Sequence, residues 1–152
     1  MRRPLLIAIL LCLSIPAPPA IAEPPSAEGE IRVALERWTS DFNAGQSDKV
    51  CGLFAGDLLA DVRGAPERDF DTQCRLLRRA LTDPERTYTY AFRLKEVLDG
   101  RDKAVVRLTW TTTTRIRSTG AIETTEDEGL DVFRRSTDGN WLIIRYMAYE
   151  RP

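Results

Sequence analysis

The sequence predicts an α+β domain, with helices packed on one face of an antiparallel sheet. Two observations carry this. Ile31 to Ala80 is patterned for helix, and from Thr87 to the end apolar and polar residues alternate, interrupted only at short turn signals. Runs of helices followed by runs of strands mark that class.

The elements follow in order. Ile31, Leu35, Trp38 and Phe42 fall at i, i+4, i+7 and i+11, one face of an amphipathic helix. Asn43-Ala44-Gly45 ends it, with Gly45 suited to the left-handed C-terminal position. Ser47 or Asp48 can cap a second helix carrying Val50, Leu53 and Phe54. A loop with Gly64 and Pro66 follows, then a third helix starting at Asp69 or Asp71, passing Leu76, Leu77 and Ala80, and stopping before Pro84. Four strands come next. Tyr88, Tyr90 and Phe92 share a face of the first, and Asp99-Gly100 is a hairpin signal. The second runs from about Lys103 to Ile116 with Val106, Leu108 and Trp110 on one face; its Thr109–Thr114 run is rich in β-branched residues. Ser118-Thr119-Gly120 turns the chain into a third strand, about Ile122 to Arg135, and Asp138-Gly139 into the last, Trp141 to Tyr149. The last strand is largely apolar on both faces, which implies burial on both. One face is expected to meet the helices and the other a second subunit, giving a homodimer packed sheet to sheet.

The N-terminus reads as an export signal. Arg2 and Arg3 precede an apolar run from Leu5 to Ile15, and Ala20-Ile21-Ala22 places small residues where a signal peptidase cuts, after Ala22. The run is too short to span a bilayer and is followed by Pro16, Pro18 and Pro19; an uncleaved anchor is the alternative. The expected organisation is a signal peptide over 1–22, a Pro-rich leader over 23–29 and one domain over 30–152, in the periplasm or secreted, with no membrane attachment after cleavage. Cleavage removes two of the 22 basic residues and none of the 23 acidic ones, leaving 20 against 23, a net charge of −3. Such a chain has no electrostatic footprint for nucleic acid. The Arg75, Arg78 and Arg79 cluster reads first as a solvated helix face and second as an anion site. Cleavage also removes Cys12, so Cys51 and Cys74 remain as an even pair, expected to form a disulfide in an oxidising compartment. Two separate buried thiols are the alternative.

The stretch Glu36-Arg37-Trp38-Thr39-Ser40-Asp41-Phe42-Asn43-Ala44-Gly45, with Val50-Cys51-Gly52-Leu53-Phe54-Ala55-Gly56-Asp57, resembles the first two helices of the NTF2-like superfamily, which includes SnoaL-like proteins and ketosteroid isomerases. Leu130-Asp131-Val132-Phe133-Arg134-Arg135 and Asp138-Gly139-Asn140-Trp141-Leu142-Ile143-Ile144 resemble its last hairpin. The resemblance implies a cone: three N-terminal helices on a curved sheet, with an apolar cavity inside. Ketosteroid isomerases use a carboxylate base and an oxyanion hole of a tyrosine and a protonated aspartic acid. Carried over, the tyrosine falls on Trp38, the base on Val62 (or Asp61 with a one-residue slip) and the oxyanion-hole acid on Asp131. Only the last role keeps a suitable residue.

The available chemistry is narrow. The chain has no histidine, the commonest general base near neutral pH and the commonest metal ligand. No Gly-rich phosphate loop is present, and neither a cofactor nor a metal is expected. Asp131 is the candidate catalytic residue: it lies mid-strand between apolar residues, the resemblance implies that it faces the cavity, and a carboxyl group there would have its pKa raised by desolvation. A structural pair with Arg107 or another neighbouring arginine, or with a tyrosine hydroxyl, is the plainer alternative. Trp38, Trp110, Asp131 and Tyr146 are the candidate ligand-binding residues, the aromatics otherwise serving as core. Asp57 and Asp61 are placed near the cavity mouth or, more simply, in solvent. Glu123, Glu126, Asp127 and Glu128 read as an exposed acidic strand segment, without the spaced ligands of a calcium loop. Three functions remain: a non-catalytic module binding a small apolar molecule or a protein, a cofactor-independent isomerase, cyclase or dehydratase using Asp131, and a filled core whose sheet alone is an interaction surface. A cavity of about 300 Å³ or more lined by Asp131 and a tyrosine, with no guanidinium nearby, would favour the enzyme.

Overall fold

In the computed structural model, residues 26–151 are described; the expected signal peptide and the first part of the leader lie outside them. The elements are α1 (Ala27–Asn43), β1 (Phe54–Val62), β2 (Arg68–Asp69), α2 (Phe70–Leu81), β3 (Arg86–Asp99), β4 (Lys103–Ile116), β5 (Ile122–Arg135) and β6 (Trp141–Glu150). They form one curved six-stranded sheet in the order β2-β1-β6-β5-β4-β3, with register shifts in the β3–β4, β5–β6 and β1–β6 pairings. Such bulges bend strands and increase local twist.

The α1 helix starts at Ser26, whose hydroxyl accepts from the Gly29 amide at 3.1 Å. It buries the expected face, Ile31, Leu35, Trp38 and Phe42. Gly45 follows with φ +72°, where a side chain would strain the backbone. Asn43 does more than end the helix. Its amide donates to the Tyr90 carbonyl at 2.9 Å and its oxygen accepts from the Tyr90 amide at 2.8 Å, tying α1 to edge strand β3. The α2 helix is capped by Asp69, which accepts from the Thr72 amide at 2.8 Å, and it ends before Pro84 as the sequence predicts. The three hairpin positions hold, and Gly120 and Gly139 turn the chain at φ +72° and +87°.

Two expectations are corrected. Among the described residues there are two helices, not three. Val50, Leu53 and Phe54 are buried as their pattern suggests, but residues 47–53 form turns and Phe54 opens a strand. Competing partners explain this. The Val50 carbonyl accepts from the Trp38 indole at 2.7 Å, and the Leu53 carbonyl accepts from the Ile143 amide at 2.9 Å. Those bonds draw the segment onto α1 and β6 in place of a local helix. The sheet is also mixed, not antiparallel: β1 pairs in parallel with β6 and antiparallel with β2, so β6 lies inside the sheet.

Cys51 and Cys74 form a disulfide with Cα atoms 5.4 Å apart. It joins the 47–53 turns to α2. The core lies between α1 and the concave face of the sheet, with Phe42, Leu58, Val106, Leu108 and Phe133 almost wholly buried.

Candidate functional site

The concave face opens into a cavity of about 140 Å³ between α1, α2 and strands β1 to β6. All four predicted ligand-binding residues, Trp38, Trp110, Asp131 and Tyr146, line it. Trp38 sits at the centre of an aromatic wall: its ring centroid is 5.3 Å from Trp110, 5.4 Å from Tyr90 and 6.2 Å from Phe54. Its indole N–H is committed to the Val50 carbonyl, so it offers a ligand only its ring. The Tyr146 hydroxyl donates to Gln73 Oε1 at 3.0 Å. Burial pushes its pKa up to about 12, against the opposing pull of the Arg68 guanidinium beside it.

Asp131 is 2% exposed. Its neighbours across the sheet are Val106 and Tyr146. The expected partner Arg107 instead pairs with Glu96 at 3.1 Å. Burial raises the Asp131 carboxyl from 3.8 to about 8, and among the described residues no hydrogen bond or charge compensates it. The acid is therefore largely neutral at pH 7 and can donate a hydrogen bond into the cavity. Gly129 clears its approach. A Cβ there would lie 3.0 Å from Leu108 Cδ2 and 3.5 Å from Asp131 Oδ1.

Two charged groups complete the lining, and sequence reasoning missed both. Asp127, placed in an exposed acidic run, is half-buried on the cavity side. Burial raises its pKa, and the Glu150 charge adds to that. The signal was present: residues 127, 129 and 131 have period 2, so an inward Asp131 implies an inward Asp127. Arg68 lies on the two-residue strand β2. A strand that short leaves no periodic signal in the sequence. Among the described residues, no carboxylate forms an ion pair with it.

Other candidates lie elsewhere. Asp57 forms a bidentate pair with Arg134 at 2.7 and 2.8 Å, away from the cavity, and Asp61 is exposed. Glu126 and Glu128 pair with Arg151, and Glu128 also with Lys95. Arg75, Arg78 and Arg79 are exposed on α2. Among the described residues, no three His, Cys, Asp or Glu side chains converge on a point that could hold a metal ion. A larger, open groove of about 670 Å³ runs between α1 and the β5–β6 turn. Along it Lys49 pairs with Asp41 at 3.4 Å and Glu30 with Arg135 at 2.6 Å.

Compared by sequence, the chain matches no family model and no curated protein. Compared by structure, it superposes on a conserved protein from Planctomyces limnophilus with a TM-score of 0.74 and 19% identity, over 82% of this chain and 96% of that one. A ketosteroid isomerase-like protein from Erwinia carotovora atroseptica gives 0.66 and 22%, over 81% and 95%. An NTF2-like protein with a cystatin-like fold from Novosphingobium aromaticivorans gives 0.62 and 18%, over 80% of each chain. The fold is NTF2-like. At these identities the likeness is one of fold, and function has to be argued from the site. Against the isomerase roles, this NTF2-like cavity has Trp38 with its donor already used, Val62 on the lining where a base would stand, and Asp61 turned outward. The cavity is smaller than about 300 Å³, and a guanidinium borders it.

Proposed function

We propose that this protein is an exported NTF2-like module whose cavity binds one small, largely apolar molecule without transforming it. One observation carries the reading: a buried carboxyl group, Asp131, that forms no hydrogen bond or ion pair among the described residues, lies on the lining of an aromatic cavity. A core built only for stability would fill that space or give the carboxyl a partner. A protein partner on the outer sheet face is part of the same proposal. Met147 and Tyr149 are each 52% exposed there and suit a homodimer packed sheet to sheet. Export rests on the N-terminal signal pattern and agrees with the disulfide. Native mass spectrometry of the protein isolated from its own cells tests the binding reading. A co-purifying small molecule, released on denaturation, is expected. Identical native and denatured masses, with no thermal shift from any member of a single-ring fragment library, reject it.

A second reading is a cofactor-independent isomerase, cyclase or dehydratase. It is favoured by two carboxyl groups, Asp131 and Asp127, on one cavity. Deuterium uptake by cyclohexanone in D₂O, followed by proton NMR, separates the two. Binding alone leaves exchange at the buffer rate; catalysed exchange that is lost in Asp131→Leu or Asp127→Asn supports the enzyme.

A further inference from the structure

We propose that the cavity selects a small monocyclic carboxylic acid, its carboxylate held by Arg68 and the opposite end of its ring by the carboxyl group of Asp131. The inference rests on the reading of the cavity as a ligand site and adds the ligand's charge, size and orientation.

The strand register supplies the geometry. Arg68 on β2 is opposite Ala60 on β1, Ala60 is opposite Tyr146 on β6, and Tyr146 is opposite Asp131 on β5. Opposed residues in neighbouring strands point to the same face. The four therefore form one row across the concave side, with Arg68 and Asp131 at its ends. Three strand spacings separate the end backbones, roughly 14 Å on a flat sheet and less on a curved one. Ala60 keeps the floor of the row low beside Arg68, and the Tyr146 hydroxyl is anchored to Gln73. Tyr146 stands between the two end groups, with the Arg68 guanidinium beside its hydroxyl, and all three side chains line the cavity.

The size follows independently. A cavity of about 140 Å³ compares with the engineered apolar cavity of about 150 Å³ that binds benzene. A multi-ring ligand does not fit without movement of the walls. The walls are aromatic, Trp38, Tyr90 and Trp110 meeting with their rings tilted or edge to face, and they suit a flat apolar body.

Charge decides the class. Arg68 brings a permanent positive charge to the lining, and no carboxylate among the described residues neutralises it. A planar guanidinium matches a carboxylate with two parallel hydrogen bonds. At the other end, Asp131 is the unpartnered polar group, suited to donate to an acceptor on the ring's far side. The competing charge is Asp127. Burial and the Glu150 charge both raise its pKa, and the amine probe below tests whether it outweighs Arg68.

Isothermal titration at pH 6 with benzoate, benzamide and benzylamine tests this on the wild type and on Arg68→Gln. Arg68 is half-buried on a short edge strand, and near-UV circular dichroism checks that the variant is folded. Benzoate is expected to bind more tightly than the other two, and to lose on the order of tenfold or more in Arg68→Gln while benzamide is unchanged. 4-Formylbenzoate, with a second acceptor, is expected to bind more tightly than benzoate and to lose that advantage in Asp131→Leu. Equal binding of benzoate and benzamide, or indifference to Arg68→Gln, overturns the acid preference and leaves the cavity reading standing. Preference for benzylamine overturns it in favour of Asp127. A 4-formyl group that gains nothing, or keeps its gain in Asp131→Leu, removes Asp131 from the proposal. If no single-ring probe binds, both this inference and the cavity reading fall.

Discussion

Asp131 is an acid placed where ionisation is costly, and pH exposes that cost. Its carboxyl titrates near 3.8 in the unfolded chain and near 8 in the fold. Between those values the folded state binds the extra proton, so its contribution to stability is complete below 3.8 and is lost as pH rises towards about 8. The groups facing it are Tyr146, Tyr90, Asp127 and Arg68; the tyrosines titrate above this window, and Asp127 adds a smaller effect of the same sign. Asp131→Asn is expected to flatten the fall in urea-unfolding free energy between pH 4 and pH 8; an unchanged slope would mean the carboxyl is solvated. Trp38 is the other test at this scale. Trp38→Phe keeps an aromatic ring but leaves the Val50 carbonyl without its indole donor. A loss of about 1–3 kcal/mol in unfolding free energy is expected, larger than for a volume change alone. Asp131 was legible in the sequence because a carboxylate amid apolar strand residues is conspicuous. Arg68 was not, because its role comes from a two-residue strand.

At the scale of elements, the chain was most legible where one local pattern extended over many residues. The amphipathic repeat of α1 and the alternation of β3 to β6 survive intact because tertiary contacts reinforce them. The 47–62 region was misread because its apolar spacing suits either a helix or a turn followed by a strand. There, bonds from Trp38 and Ile143 decide the outcome. The disulfide acts on the same region. It closes a separation of 23 residues, worth about 3 kcal/mol in the chain-entropy model. It also ties α2, which carries the cavity-lining Gln73 and Leu77, to the turn that leads into Leu53 and Phe54. Replacing both cysteines by serine is expected to lower unfolding free energy by about that amount. It should also raise amide hydrogen exchange in α2 more than in β4. Uniform protection changes would show that the bridge does not anchor α2 locally.

The whole molecule presents a concave face built around a small cavity and an outer face with apolar and paired charged groups side by side. Met147 and Tyr149 lie near the Glu126–Arg151 and Glu128–Lys95 pairs. If two copies pack through this face, Met147→Glu places a charge in the contact, and light scattering coupled to size-exclusion chromatography is expected to shift from dimer to monomer. A wild type that is monomeric at micromolar concentration rejects the dimer. Export predicts that protein recovered from its own cells starts at Glu23; Edman sequencing reading Met1 would reject cleavage.

The sequence by itself determined the class of the fold, the faces of α1 and the later strands and the disulfide partners, because each depends on short-range periodicity or on which residue types can be buried; the inward aspartate followed from the NTF2-like resemblance. The tertiary structure decided the parallel insertion of β1 beside β6, the turn at Val50, and the arrival of Arg68 at the Asp131 cavity. Those depend on hydrogen bonds and register between segments far apart in the chain, which local patterns do not encode.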